Sequence, residues 1–313
     1  MEKSKVYFTD FRTHVGVSLT EKLQRLIKKA GINDIDMDGK FVAIKMHFGE
    51  LGNLSYLRPN YAKAVADVVK ESGGKPFLTD CNTLYPGSRK NALEHLDCAN
   101  INGFNTITTG CQIIIGDGLR GTDDITVPVR NGEYCKEAYI GRAVMDADIF
   151  ISLTHFKGHE STGFGGAIKN MSIGIASSGG KAWIHSAGKT KGDPWGNLPP
   201  QDDFLESMAE AAKAVADHCG DKILYISVAN NLSVDCDCDA SPEDPKMGDI
   251  GILASLDPIA LDKACTDLVR ASEDHGKIHL IERIDSRHGM HTLEYGEKLG
   301  IGSQKYELVK LDK

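Results

Sequence analysis

Short apolar runs alternate with amphipathic stretches along most of the chain. The apolar runs predict strands at residues 5–9, 41–47, 76–79, 147–153, 222–228, 249–254 and 306–311. The amphipathic stretches predict helices at residues 19–30, 61–71, 88–96, 203–218, 258–270, 277–283 and 292–299. Strands that alternate with helices in this way are typical of βαβ units. We therefore expect an α/β fold with a mostly parallel sheet in a three-layer arrangement.

The alternation is interrupted in two places. Three short apolar runs, at 112–116, 125–129 and 135–139, follow one another without a helix, and the R-N-G-E stretch before the last is a hairpin signal. We expect a small antiparallel insertion near residues 110–145. The stretch Gly179–Pro200 is rich in Gly, Ser, Lys and Pro, which predicts a loop. We predict one elaborate α/β domain, residues 1–313, the alternative being two units, 1–180 and 200–313, joined by this Gly/Pro-rich linker.

Composition and charge narrow the class of protein. The chain has 313 residues and a formal charge of -8, spread without acidic or basic blocks, so we expect no nucleic-acid partner. The first residues, M-E-K-S-K-V-Y-F, lack the apolar core of a signal peptide. No apolar run approaches the roughly 18 residues that a membrane span needs, so we predict a cytoplasmic protein without a membrane partner. The eight cysteines do not make a disulfide scaffold in so long a chain.

Polar groups stand where four of the predicted strands end. In open parallel sheets, ligands bind outside the carboxyl ends of the strands, so we expect the four loops that begin there to form one pocket. The groups in these loops are Lys45 with His47, Asp80 with Arg89, the run from His155 to Lys169, and Cys236 with Cys238.

The third of these loops is the richest in reactive side chains. The run T-H-F-K-G-H-E-S-T-G-F-G-G-A-I-K-N, residues 154–170, combines two imidazoles, two lysines and four glycines. Imidazoles bind metals or move protons near neutral pH, lysines hold anions, and glycines let the backbone approach a ligand. The spacing does not match the phosphate loop of nucleotide triphosphatases. We predict three catalytic residues, His155, His159 and Lys169, and a surrounding set that binds substrate: Lys45, His47, Asp80, Arg89, Gly165 and Gly166.

Cys236 and Cys238 differ from the other cysteines because they lie close together in an acidic segment, D-C-D-C-D. Two thiols separated by one residue point to the same side of an extended segment. They can then bind one soft metal, either iron, nickel or zinc, or supply two ligands of an iron–sulfur cluster. A redox-active dithiol is the alternative. The flanking aspartates would raise the pKa of each thiol unless a cation is bound, which favours the metal.

Longer motifs give the chain a resemblance to a known family. The motifs are K-M-H-F-G-E from Lys45, T-D-C-N-T-L-Y-P-G-S-R from Thr79, D-G-L-R-G from Asp117, the run from His155, C-D-C at Cys236, and D-I-G-I-L-A-S-L-D-P-I-A-L-D from Asp249. In these motifs the chain resembles the uncharacterised, ferredoxin-associated family named domain of unknown function three-six-two. The resemblance implies a setting in anaerobic redox metabolism. Many members carry a C-x-x-C-x-x-C-x-x-x-C-P module where this chain has residues 185–200 without cysteine, so a cluster or metal must use other ligands, such as the Cys236 and Cys238 thiols.

Three functional hypotheses follow. The first is a metal- or iron–sulfur-dependent enzyme, an oxidoreductase that acts on a small anionic substrate with a ferredoxin-type electron carrier as partner. An isomerase or racemase is its variant, because H-x-x-x-H…G-F-G-G-x-x-K resembles the nickel-dependent lactate racemases. The second is a non-catalytic metal or cofactor carrier or electron-relay protein. The third is a metal-free dithiol oxidoreductase. A deep cavity lined by Lys169, Arg89 and His155 would favour the enzyme over the carrier.

Overall fold

A computed structural model describes residues 3–196 and 198–312 of the chain. Its strands are β1 (Ser4–Thr9), β2 (Phe41–Lys45), β3 (Lys75–Asp80), β4 (Gln112–Ile115), β5 (Asp124–Pro128), β6 (Glu137–Gly141), β7 (Ile149–His155), β8 (Lys157–His159), β9 (Gly163–Gly165), β10 (Ile223–Ala229), β11 (Gly251–Ser255) and β12 (Tyr306–Lys310). Its helices are α1 (Leu19–Lys29), α2 (Pro59–Glu71), α3 (Ala92–Ile101), α4 (Thr106–Thr109), α5 (Arg142–Met145), α6 (Ala167–Met171), α7 (Ser178–His185), α8 (Gln201–Cys219), α9 (Pro258–Ala271), α10 (Lys277–Ser286) and α11 (His291–Lys298).

Eight strands form one sheet in the order β12-β1-β11-β10-β7-β2-β3-β4. β11 runs antiparallel to both of its neighbours, and every other pair in the sheet is parallel. The neighbouring strands β10, β7, β2 and β3 therefore end at the same edge. That edge carries the four loops in which the sequence places its candidate chemistry.

Helices cover both faces of this sheet. Along β2, Ala43 faces a core that includes the buried side of α8, and the next residue, Ile44, faces a core that includes α1 and α2. Phe150 and Ile151 of β7 divide between the same two cores. Strands buried on both faces are continuously apolar, which is why the sequence marked them clearly. The predicted three-layer α/β fold is confirmed.

The predicted antiparallel insertion is confirmed for β5 and β6, which pair with each other apart from the main sheet. β4 instead joins the main sheet beside β3 and parallel to it. The helix predicted at 88–96 begins later, as α3, because the Asn91 side chain caps it by accepting the Glu94 amide. Arg89 is thereby left in the loop before the helix.

The loop predicted at 179–200 is wrong in its first part, because α7 occupies residues 178–185. The Ser177 hydroxyl accepts the Gly180 amide and caps the helix. A Cβ at Gly180 would lie 2.1 Å from the carbonyl oxygen of Tyr139, so this glycine allows close packing against β6. Residues 186–196 and 198–200 are irregular, as predicted, and Asn197 lies outside the described residues.

Among the described residues, no helix is both long and apolar enough to cross a bilayer.

Candidate functional site

The loops after β2, β3, β7 and β10 surround one cleft. It encloses about 910 Å³ including its open mouth, and α6 and α7 complete its walls. The predicted residues that line it are Lys45, His47, Asp80, Arg89, His155, His159, Gly165, Gly166, Lys169 and Cys238. Cys236 is fully buried beside it, with its Sγ 3.7 Å from Lys169 Nζ. The structure thus brings together every residue proposed from the sequence, and their roles stay predictions.

A buried ion pair forms the floor of the cleft. Lys45 ends β2, and its Nζ donates to Asn170 Oδ1 at 2.9 Å and lies 3.1 Å from Asp80 Oδ1. Burial opposes ionisation of Asp80, but the Lys45 ammonium and the neighbouring His95 hold the pKa of Asp80 well below its usual range. Burial lowers the pKa of Lys45, although the Asp80 charge opposes this effect.

Arg89 is held by protein groups on three sides. Its Nε donates to Glu50 Oε2 at 3.0 Å, its Nη2 donates to the Tyr85 hydroxyl at 2.9 Å, and its Nη1 lies 3.9 Å from Asp80 Oδ2. The guanidinium therefore connects the loops after β2 and β3. Two of its five N–H donors make these hydrogen bonds, so the Nη1 group keeps donors for a ligand.

His47 keeps one ring nitrogen without a protein partner. Its Nδ1 accepts the Gly49 amide at 2.9 Å, so its Nε2 carries the proton of the neutral ring. Burial and the nearby Arg89 charge lower the pKa of His47 to about 3. Within the described residues Nε2 has no hydrogen-bond partner. It is a donor that an anion in the cleft could use.

His155 has no free nitrogen. Its Nε2 lies 2.7 Å from the Asn230 carbonyl oxygen, and its Nδ1 lies 3.1 Å from Asp237 Oδ2. The ring therefore contacts the loop after β10 on both sides. This arrangement suits positioning of that loop better than the acid–base or ligand role predicted for His155.

Asp237 is the centre of a buried charged group behind the two cysteines. Its carboxylate has no exposed surface, and Oδ1 lies 2.6 Å from Lys157 Nζ. Burial opposes ionisation, but Lys157 together with His47 and His155 holds the pKa of Asp237 well below its usual range.

Backbone hydrogen bonds join the segment of residues 233–238, the cysteine loop, to two other strand ends. The Glu50 amide, after β2, donates to the Asp237 carbonyl at 3.1 Å. The Gly158 amide of β8 donates to the Ser233 carbonyl at 2.8 Å. The cysteine loop is therefore held from both sides.

The side chains of His159, Cys236 and Cys238 form a candidate metal site. One ligand atom from each lies within 4.8 Å of the others. The Cys236 sulfur also accepts the Cys238 amide at 3.4 Å. Burial opposes ionisation of Cys236, but the Cys238 thiol and the Lys169 and Lys157 ammoniums hold the pKa of Cys236 well below its usual range.

Asp235 and Asp237 do not raise the pKa of Cys236 above its usual range, so this prediction from the sequence is wrong for Cys236. Asp235 accepts the Glu243 amide at 3.0 Å and lies 3.4 Å from Arg283, and Asp237 pairs with Lys157. The Cys238 thiol and the Lys169 and Lys157 ammoniums therefore lower the pKa at this sulfur. The pKa of Cys238 is raised, first through its hydrogen bond to Cys236 and then through burial.

His159 lies in the short strand β8, so it does not share a helix face with His155. Its Nδ1 accepts the amides of Ser161 and Thr162 at 3.1 and 3.2 Å. Nε2 therefore carries the proton of a neutral ring, and it lies 3.6 Å from Glu160 Oε1.

Of the two glycines predicted to bind substrate, Gly166 is required by protein packing. A Cβ at Gly166 would lie 2.5 Å from the Asp262 carboxylate, whose oxygens accept the Ala167 and Ile168 amides at 2.7 and 3.0 Å. A Cβ at Gly165 would lie 3.3 Å from Lys157. Burial raises the pKa of Asp262 to about 7. Gly166 thus makes room for the carboxylate that caps α6, the helix carrying Lys169.

Two further side chains lie in the cleft, although the set of site residues predicted from the sequence does not include them. Lys181, on α7, is buried, and its Nζ donates to the Ala176 carbonyl at 2.5 Å. His185, at the end of α7, also lines the cleft, and burial lowers its pKa to about 3. Both fall in the stretch predicted to be a loop. A helical interpretation of S-G-G-K-A-W-I-H would have placed Lys181 and His185 four residues apart on one face.

The fold and the site define an α/β protein with a candidate thiol and imidazole metal site at the carboxyl edge of its sheet. The model of the family "Domain of unknown function (DUF362)" matches residues 42–267, and the chain belongs to this family. The expectation drawn from the motifs is confirmed.

Known proteins show more distant similarity. The chain is 27% identical over 265 residues to the thylakoid-associated protein sll1697 of Synechocystis, covering 81% of this chain and 70% of that protein. The lactate racemase apoprotein of Thermoanaerobacterium thermosaccharolyticum matches with a TM-score of 0.43 and 13% identity, over 72% of this chain and 50% of that one. A Thermotoga maritima protein matches with a TM-score of 0.46 and 16% identity, over 80% and 58%. This chain thus spans half of the first structure and 58% of the second.

Proposed function

We propose that the chain is a metal-dependent enzyme that acts on an anionic substrate, with the thiols of Cys236 and Cys238 and the imidazole of His159 as the metal ligands. One observation carries the proposal: these three groups gather within 4.8 Å at the wall of a cleft that is rich in lysine. Thiolate and imidazole ligands suit iron, nickel and zinc. Three protein ligands leave a coordination position for a substrate, as in catalytic sites.

The chemistry of the donors fits such a metal. Cys236 is held as a thiolate, and the ammoniums of Lys169 and Lys157 offset the negative charge that two thiolates would place in a buried site. The two amides at Nδ1 orient His159, and the ring would have to give up these hydrogen bonds and change tautomer in order to ligate through Nε2. When bound, the metal would supply Lewis-acid polarisation or electron transfer.

The chain's own residues supply the rest of the site. Lys169 and the Nε2 donor of His47 can hold the anionic group of a substrate. Lys45 can hold or move a proton at its Nζ, because burial lowers its pKa and Asp80 keeps it oriented. A deep cleft with these groups supports an enzyme over a metal carrier. A ferredoxin-type electron carrier is the partner we propose if the reaction is redox.

Metal and sulfide analysis with a visible spectrum, on protein purified without oxygen, tests the proposal. We expect about one metal equivalent or one cluster in the wild type, and loss of it in the Cys236→Ser/Cys238→Ser variant. Iron with sulfide would identify a cluster, and one metal without sulfide a mononuclear site. Cys219→Ser, which changes a thiol at the end of α8, is the matched control and should keep the metal. A metal-free wild type would contradict the proposal.

A specific observation favours a metal-free dithiol oxidoreductase as the second candidate. The Cys238 amide and the Lys169 ammonium both lie next to the Cys236 sulfur, and these donors stabilise a thiolate without any metal. The Cys236 thiolate would attack a substrate disulfide and release one substrate thiol, forming a mixed disulfide. Cys238 would then attack the Cys236 sulfur and release the second substrate thiol, so that the substrate is reduced and the Cys236–Cys238 pair is oxidised. Alkylation and mass measurement before and after reduction would then detect a reversible Cys236–Cys238 disulfide.

A further inference from the structure

We infer that the cleft binds an anion with a flat apolar body, such as an aromatic carboxylate, and not a small inorganic anion. The inference rests on the proposed function, because it specifies the substrate class of the same site. It is drawn from the different chemistry of the floor and the mouth of the cleft.

The floor of the cleft is deeply buried and carries three lysines, of which Lys45 is paired with the Asp80 carboxylate. Lys45 is 1% exposed, and Lys181 is also buried. Lys169 stands on α6 beside them in the cleft wall. Each lysine keeps ammonium protons beyond those used in its protein contacts. This end can hold a carboxylate or a similar group.

The mouth of the cleft is aromatic and apolar. The His185 ring stacks on Phe204, with centroids 4.9 Å apart and planes 14° apart. The centroid of the Trp195 ring lies 5.5 Å from that of His185, and their planes are tilted by 49°. Trp195 is 49% exposed, and Leu84 and Ile173 also line this cleft. A half-exposed indole at a cleft mouth offers a face on which a planar group can stack.

The floor and the mouth belong to one cleft, so one ligand can contact both. An acetate or phosphate ion would leave the aromatic mouth exposed to water. A ring attached to the anion would cover it, and burial of that ring would add affinity.

Trp195 makes the inference directly measurable. The chain has two tryptophans, and the other, Trp183, packs edge-on against Tyr139. In a Trp183→Phe variant, Trp195 is the sole tryptophan and reports occupation of the mouth. We would titrate this variant with phenylacetate and with its two halves, acetate and 2-phenylethanol, and follow the fluorescence. We expect phenylacetate to quench Trp195 and to bind at least tenfold more tightly than either half.

A second measurement separates stacking from general stability. By calorimetry, Trp195→Ala should weaken phenylacetate binding at least fivefold and leave acetate binding unchanged. Leu119→Ala is the matched control, since Leu119 is 56% exposed and does not line the cleft or its mouth. Acetate that binds as tightly as phenylacetate, or phenylacetate that does not bind, would overturn the inference. These assays need no metal, so a negative metal analysis and a failed titration are distinct results.

Discussion

Replacing Asp237 with alanine is expected to lower the free energy of unfolding by about 3–5 kcal/mol and to abolish metal binding. The Asp237 carboxylate is fully buried, with Lys157 Nζ at 2.6 Å and His155 Nδ1 at 3.1 Å. Without it, the buried Lys157 ammonium has no counter-charge. The cysteine loop also loses the side-chain contacts that Asp237 makes with His155 of β7 and Lys157 of β8. Denaturant unfolding and metal analysis of the variant check both effects.

Two controls show whether the loss comes from this charge pair. Asp239→Ala removes an exposed carboxylate two residues away and should change the free energy of unfolding by less than about 0.5 kcal/mol. Asp237→Ala/Lys157→Met removes both charges and should recover at least half of the lost stability. An Asp237→Ala protein as stable as the wild type would show that the pair does not support the loop.

The stability difference between wild type and Asp237→Ala should also depend on pH. The pKa of Asp237 is lower in the folded state than in the unfolded chain, where it is about 3.9. Its contribution is therefore complete above about pH 4 and is lost as the pH falls through the folded-state value. Unfolding measured from pH 7 down to pH 3 should show a constant difference that shrinks only at the acid end.

Replacing Gly158 with alanine is expected to separate the metal ligands from one another. The added Cβ would lie 2.3 Å from the Val234 carbonyl oxygen and 2.6 Å from its carbonyl carbon, so two backbone segments must move apart. Such overpacking costs about 1–3 kcal/mol. It also moves His159 away from Cys236, so we expect metal content to fall at least tenfold.

Gly192→Ala is the matched control for this change. The nearest atom to a Cβ there is Thr190 Oγ1 at 3.5 Å, an ordinary contact, so stability and metal content should stay near those of the wild type. If Gly158→Ala kept both the metal and the stability of the wild type, the close approach of β8 to the cysteine loop would not be needed for the site.

Much of the fold could be predicted because its signals are local. β2, β7 and β10 are buried on both faces and appear in the sequence as continuous apolar runs. The first polar groups after such runs, among them Lys45 and His155, lie at the carboxyl edge of the sheet. The order of the strands could not be predicted in this way, because pairing of β7 with β10 joins residues more than 70 positions apart.

The errors arise where distant parts of the chain override local composition. The glycines of α7 indicated a loop, yet they lie in a helix. A glycine is needed at position 180 because only a residue without a Cβ fits against the Tyr139 carbonyl. The aspartates beside Cys236 indicated a raised thiol pKa, yet the groups that act on its sulfur include Lys157 and Lys169, far away in sequence. The partners of His155, Asn230 and Asp237, are 75 and 82 residues away, so its fixed orientation could not be read locally.

The double attachment of the cysteine loop has a consequence for how its thiols meet solvent. The Glu50 and Gly158 amides hold it from two different strand ends, and both hydrogen bonds must break before Cys236 can be uncovered. Such segments open as one cooperative unit. The rate at which an oxidant or chelator reaches Cys236 is therefore set by the opening equilibrium of the whole carboxyl edge, and not by the partial exposure of Cys238.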